Sequence, residues 1–311
     1  MKYVEVKNLR KAYYHRGKRI EAVRGISFNI RKGEIFGLLG PNGAGKTTTI
    51  DILSGILTKD SGTVRIFEKD PEKEHEYIRN RMNVSTAYYP LSSVLTVYEN
   101  LKVYARLFGV RHYDNLINGL VKEFEISHLR NKRVGKLSSG EQTRVSLCKS
   151  LINSPKLLLL DECTVGLDPA IAEKTRNLIK EYHKQHKPAI LFTSHYMFEV
   201  EELCKRIAFM SRGRIISIGS ADALKKLIKK HTISMHILAG HKQLEDFFRE
   251  KGIDVLFLTK NMVRFDVSAR GERLYRLLNS LFKRGVKIKD LHIKRPTLDD
   301  IFIKIAKGDL K

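Results

Sequence analysis

The segment Gly40-Pro41-Asn42-Gly43-Ala44-Gly45-Lys46-Thr47 constrains this chain more than any other stretch, because it joins an apolar run, EIFGLL, directly to a helix-like one, TTTIDILSGI. It fits the pattern G-x-x-x-x-G-K-[ST]. Glycines let successive backbone N–H groups turn inward, and the start of the following helix adds positive potential, so such a loop is built to cradle phosphates. In that arrangement Lys46 reaches the outer phosphates and the Thr47 hydroxyl ligates magnesium. The chain is therefore expected to bind ATP and Mg2+, with Gly40 through Thr48 forming the nucleotide contact.

A second constraint is LLLLDE, in which Leu157 to Leu160 read as a buried strand ending in Asp161 and Glu162. Carboxylates at the end of a core strand are costly unless something balances them. A magnesium ion bridging phosphates supplies that balance for Asp161, which makes Thr47 and Asp161 the expected metal ligands. Glu162, one residue further, is placed to polarise an attacking water as general base. On its own the segment also reads as a strand end followed by two surface acids; beside a phosphate loop the catalytic reading is preferred.

Leu137-Ser138-Ser139-Gly140-Glu141-Gln142 precedes the helical run TRVSLCKSLI and stands shortly before the acidic strand. Taken alone it is an ordinary serine-capped helix start. In this order and at this distance from the other two pieces it resembles the LSGGQ signature of the ATP-binding cassette (ABC) ATPases, and the resemblance extends along nearly the whole chain. It implies an α/β P-loop NTPase of the ABC type. It also implies that Tyr13 stacks on adenine, with Tyr14 as the neighbouring alternative, that Gly166-Leu167-Asp168 is the D-loop, and that His195, after the strand-like AILFTSH, is the switch histidine. By the same resemblance the catalytic group is Glu162, His195 and Lys46, and ATP is closed in from a second copy by Ser138, Ser139, Gly140, Glu141 and Asp168.

Departures from the family pattern are as informative as the matches. A glutamine that ligates magnesium is expected before LTVYENL, yet the chain reads NVSTAYYPLSSV there and carries no Gln between Thr47 and Gln142. Asn83, Ser85 and Thr86 are the polar residues available in its place. The signature has Ser139 where a glycine is usual and Glu141 before Gln142, and Cys163 replaces the usual proline after the catalytic acid.

Two domains are expected. Residues 1–220 alternate apolar runs with helical patterns and make up the nucleotide-binding domain, with a helical subdomain over about 90–155. Residues 221–311 read strand, helix, two strands, helix, strand and a final helix from Thr297, the βαββαβ order of a small α+β ferredoxin-like domain with an accessory or regulatory role. The tail RPTLDDIFIKIAKG is similar to that of exporter-like ATPase subunits with such an extra domain.

Nothing in the sequence approaches the roughly 18 to 20 apolar residues needed to span a bilayer, and the charged start MKYVEVKNLRKAYYHRGKR is unlike a signal peptide. The expected setting is cytoplasmic and peripheral, on the inner face of the cell membrane, with separate integral permease subunits as partners. A homodimer, or a heterodimer with a related ATPase, is implied by the trans signature. The net charge of +24 includes local groups at Lys225, Lys226, Lys229, Lys230 and at Lys283, Arg284, Lys287, Lys289. It suits an anionic membrane surface, and it equally suits the rival reading, a soluble ABC ATPase acting on nucleic acid or ribosomes. Against that rival, the chain has one phosphate loop and one signature, and no coiled coil between them. Cys148, Cys163 and Cys204 are spaced for neither metal nor a disulfide framework.

Overall fold

The computed structural model describes residues 1–86, 91–225, 230–259, 261–268, 271–294 and 297–301. In chain order the first part contains β1 (Lys2–His15), β2 (Lys18–Arg31), β3 (Ile35–Leu39), α1 (Lys46–Leu53), β4 (Ser61–Ile66), α2 (His75–Arg79) and β5 (Met82–Thr86). There follow α3 (Val97–Leu107), α4 (Tyr113–Glu123), α5 (Ser139–Leu151), β6 (Leu157–Asp161), α6 (Pro169–His186) and β7 (Ala189–Ser194). The first compact unit, residues 1–221, closes with α7 (Met197–Leu203), β8 (Arg206–Ser211) and β9 (Arg214–Gly219).

Six strands form one sheet in the order β5-β6-β7-β3-β8-β9, parallel except for the β8/β9 edge. Strands covered on both faces read as unbroken apolar runs, and Leu157 to Leu160 of β6 and Ile35 to Leu39 of β3 are buried throughout. Because β3 has β7 on one side and β8 on the other, the chain changes direction of travel across the sheet at β3, and ligands of open parallel sheets bind beyond the carboxyl ends at such a point. The ends of β3, β7 and β6 lie side by side there: Leu39 is in register with Ser194, and Thr193 with Asp161.

A second, three-stranded antiparallel sheet, β2-β1-β4, is packed into the same core through Val4, Val6, Leu9, Ile26, Phe28 and Ile30. The sequence reading did not separate this sheet from the parallel one. Register shifts between Lys2 and Val4, Val6 and Leu9, and Lys11 and Ala12 interrupt the period-two alternation by which a half-buried strand is recognised.

The expected helical subdomain is occupied by α3, α4 and α5, which pack against one another through Leu101, Ala105, Ile117, Leu120 and Leu147. Both α3 and α5 begin with a capping box: Thr96 with Glu99, and Ser138 with Glu141.

The second unit, 222–311, carries β10 (Lys230–Ala239), α9 (His241–Lys251), β11 (Val255–Leu258), β12 (Met262–Ser268), α10 (Gly271–Lys283) and β13 (Lys287–Lys294) after the short α8 (Ala221–Lys225) at the division. Its antiparallel sheet runs β11-β12-β10-β13, and Ile233, Met235, Ile237, Phe247, Phe265 and Leu281 form its own core. This is the ferredoxin-like order read from the sequence. The helix expected from Thr297 is described only to Ile301, and Lys226, Lys229 and the tail beyond Ile301 lie outside the described residues. Among the described residues no helix is long and apolar enough to cross a membrane.

Candidate active site

Between β3 and α1 the backbone makes its tightest turn at Gly45, which precedes the helix with a φ of 104°. That left-handed value disfavours any residue with a side chain, and a Cβ there would fall 2.4 Å from the Ala22 carbonyl oxygen. Gly40 is needed for a different reason, since a Cβ at that position would meet the Met210 carbonyl oxygen at 2.1 Å. A Cβ on Gly43, by contrast, would project into open space, the side from which a phosphate could approach.

Lys46 is 4% exposed. Its Nζ donates to the carbonyl oxygens of Gly40 at 2.8 Å and Pro41 at 3.1 Å and lies 3.2 Å from Glu162 Oε1. The same carboxylate oxygen is 3.4 Å from His195 Nδ1, a buried nitrogen that makes no hydrogen bond. The His195 ring rests against Tyr196 at 4.2 Å between centroids. Lys46, Glu162 and His195 therefore converge on one oxygen, although they come from three separate stretches of chain.

Asp161 is buried beside them, and its Oδ1 accepts from Thr193 Oγ1 at 2.6 Å. Burial holds its carboxyl above the ordinary aspartate range, outweighing the hydroxyl donors Thr193 and Thr47 that favour the ionised form, while Glu162 raises it further and Lys46 lowers it. An acid whose folded-state pKa is raised costs the fold stability as pH climbs through that pKa. A cation against Asp161 would remove the cost. Thr47 and Asp161, whose side chains are near enough to interact, supply hard oxygen ligands. Magnesium takes one or two such protein ligands and completes its shell with phosphate and water. No group of three His, Cys, Asp or Glu side chains among the described residues could hold a metal by itself, so the residues present fit magnesium delivered with a phosphate ligand.

Thr193 is a site residue that the sequence reading missed. Besides bonding Asp161, its hydroxyl accepts from the Glu162 N–H at 3.1 Å, and its carbonyl does so at 3.2 Å. These two bonds hold Glu162 at a φ of 49°, unusual for a residue with a side chain. The only local signal was a hydroxyl in an otherwise apolar run, AILF.

Tyr13 is 40% exposed and its hydroxyl is 3.3 Å from Thr48 Oγ1, whereas Tyr14 is 77% exposed. Of the polar residues standing where a glutamine was expected, Asn83 donates to Asn153 Oδ1 at 2.9 Å, just past α5, and Ser85 Oγ is 3.3 Å from Ser146 Oγ of α5 while also lining the cleft that holds Thr86. Thr86 is in register with Asp161 and lines, with Glu162, Cys163, Ser139 and Gln142, an open cleft of about 210 Å³. Residues 87–90 of that segment lie outside the described residues.

Ser138 caps α5, and Ser139, Gly140 and Glu141 form its first turn. Ser139 is exposed. Glu141 accepts from the Ser138 N–H at 2.7 Å and hydroxyl at 3.0 Å, which draws its carboxyl below the ordinary range and commits it to the cap. Gly140 meets α6, where a Cβ would stand 2.5 Å from Ile171 Cγ2. Gln142 donates to the Leu137 carbonyl at 3.0 Å. Asp168 caps α6 without a side-chain bond and is exposed. Cys163 fills the place of a proline as a buried thiol whose pKa burial pushes up to about 12.

Comparison with known proteins agrees with this geometry. The family model described as ABC transporter matches residues 23–165, and that of the ATP-binding protein DrrA1-3-like C-terminal domain matches 219–306. The chain is 30% identical to the linearmycin resistance ATP-binding protein LnrL of Bacillus subtilis over 99% of both chains. It is 33% identical to a fluoroquinolones export ATP-binding protein of Mycobacterium tuberculosis, over 92% of this chain and 87% of that one. Among solved structures, an ATP-binding subunit of an ABC transporter matches with a TM-score of 0.64 at 25% identity, over 72% of this chain and 92% of its own. A dimeric bacterial ABC transporter cassette shares the fold with a TM-score of 0.63 at 23% identity, over 70% of this chain and 98% of its own. With a relative this similar along its entire length and the phosphate loop and acidic strand meeting as they do, the chain belongs to the ABC transporter family as an ATP-binding, ATP-hydrolysing subunit.

Proposed function

We propose that Glu162 is the general base of ATP hydrolysis in a site completed by a second copy of the chain, and that the energy released drives export through separate membrane-spanning subunits. The observation that carries this reading is the convergence of Lys46 and His195 on Glu162 Oε1, at 3.2 and 3.4 Å, beside the loop that fits phosphates. Lys46 leaves Glu162 for the β and γ phosphates when ATP enters, and the freed carboxylate takes a proton from the attacking water. The water oxygen bonds to the γ phosphorus as the bond to the β-phosphate oxygen breaks. His195, whose Nδ1 has no hydrogen-bond partner among the described residues, orients the pair. Thr47 and Asp161 are the residues that would hold magnesium, which would supply positive charge to the phosphates. Of the polar residues available in place of the family's glutamine, Thr86 is in register with Asp161 and lines the cleft beside Glu162.

The trans contribution rests on α5. Ser139 at its N-terminus is exposed, and a helix N-terminus is an anion site only where a phosphate can reach it. A homodimer, or a pair with a related ATPase, brings Ser139, Ser138, Gly140 and Asp168 to the partner's ATP. Glu141 acts by fixing the cap. Export is supported by relatives named for linearmycin resistance, fluoroquinolone export and daunorubicin resistance. The protein then works at the inner face of the cell membrane, where its +24 charge suits anionic lipid.

Mixing Lys46→Ala subunits with Ser139→Arg subunits tests the composite site. In a heterodimer both lesions fall in one site and the other is intact, so phosphate release should reappear although each variant alone is inactive. Full activity of Ser139→Arg at concentrations where light scattering finds only monomer would overturn the trans arrangement.

The second unit carries none of the nucleotide-binding residues, and we assign it dimer contact or regulation. A chain ending at Gly219 should keep the ATP affinity of the whole protein. A folded chain of that length that does not bind ATP would contradict the division.

A further inference from the structure

Glu199 on α7 is 1% exposed and accepts three hydrogen bonds from three different stretches of chain. Thr164 Oγ1 donates to Oε2 at 2.8 Å, Ser194 Oγ donates to the same oxygen at 2.7 Å, and Arg176 Nη1 donates to Oε1 at 3.2 Å. Thr164, Ser194 and Arg176 are themselves buried, at 2%, 0% and 5% exposure.

What these partners adjoin gives the carboxylate its meaning. Thr164 follows Glu162 by two residues in the loop toward Asp168, and its carbonyl accepts the Leu167 N–H at 3.3 Å. Ser194 immediately precedes His195, and its hydroxyl also accepts the Tyr196 N–H at 2.9 Å, so both flanks of the histidine are tied to it. Arg176 lies on α6, the helix that begins at Asp168, and reaches Glu202 at 2.6 Å as well. One buried carboxylate thus fixes the loop that carries Glu162, the turn that carries His195, and the helix that starts at the exposed Asp168.

A buried ion pair is weak evidence for stability, because removing two charges from water offsets most of their attraction, and apolar side chains of the same volume commonly do as well. A geometric role explains what apolar packing would not. Glu162 and His195 meet at 3.4 Å although they sit on different strand ends, and among the described residues Thr193 and Glu199 supply hydrogen bonds that link the two loops. Thr193 bonds Asp161 and the backbone N–H of Glu162, whereas Glu199 reaches the residues just after Glu162 and just before His195. We infer that Glu199 is a positioning residue for ATP hydrolysis, holding the Glu162 and His195 loops in mutual register through Thr164 and Ser194. The role rests on the reading of Glu162 as general base.

Glutamine at this position keeps the volume but offers one acceptor oxygen and a pair of donors, so either Arg176 or the two hydroxyls lose their acceptor. In the full chain, Glu199→Gln should lower kcat for ATP hydrolysis by about tenfold to hundredfold, the effect of a misplacement of order 1 Å, with the ATP dissociation constant unchanged. Thr164→Val is isosteric and lacks only the hydroxyl; it should lower kcat as well, and Thr164→Ser should restore it. Native turnover in Glu199→Gln overturns the proposal, as does a fall in ATP affinity in step with kcat and melting temperature, which is the mark of a merely structural role. Should Glu199→Gln fail to fold, equal rates for Thr164→Val and Thr164→Ser overturn it. Glu162→Gln is measured in parallel. If that variant turns over at the native rate, the base assignment falls; if it is inactive while Glu199→Gln is native-like, only the positioning role falls.

Discussion

Lys46→Ala should weaken ATP binding by about tenfold to hundredfold, the range expected for loss of a charge-assisted hydrogen bond worth roughly 1.5–3 kcal/mol, and should abolish hydrolysis. The Lys46 ammonium is held by two loop carbonyls and by Glu162. Those acceptors keep it against the loop. Removing it leaves the Glu162 carboxylate without its cation, so repulsion adds to the lost attraction when a polyphosphate enters. Isothermal titration with ATP, alongside a melting curve to exclude unfolding, measures the effect. Native affinity in a folded Lys46→Ala protein would mean that the nucleotide does not sit on this loop.

The phosphate loop was legible in the sequence because its chemistry is local. Gly40, Gly45, Lys46 and Thr47 lie within eight residues, and the constraints on them come from backbone geometry that few other residues satisfy. Asp161 and Glu162 were legible because two acids after Leu157 to Leu160 are hard to explain without a counter-charge. The second domain was legible from the order of its elements, helped by the alternation in β10, where Ile233, Met235 and Ile237 are buried and their neighbours are not.

What the sequence concealed depends on partners far apart along the chain. Thr193 serves Asp161 across 32 positions and Glu199 serves Thr164 across 35, and neither pairing leaves a local pattern. The β2-β1-β4 sheet was hidden by bulges that break its alternation, although Tyr13 belongs to it. Glu141 carries two readings in one string. The signature resemblance pointed to the opposite nucleotide, whereas its carboxylate is spent on the Ser138 cap. Gly140 likewise owes its lack of a side chain to Ile171 of the same chain.

The most direct test of the account is single-turnover phosphate release from Mg-ATP by the native chain and by Glu162→Gln. Glutamine keeps the size of the side chain and an oxygen that can accept from Lys46, so the loop and its ammonium stay in place. It cannot take a proton from water. The account predicts ATP affinity close to native, release slower by on the order of a hundredfold or more, and accumulation of an ATP-bound dimer. Release at the native rate by Glu162→Gln would contradict it.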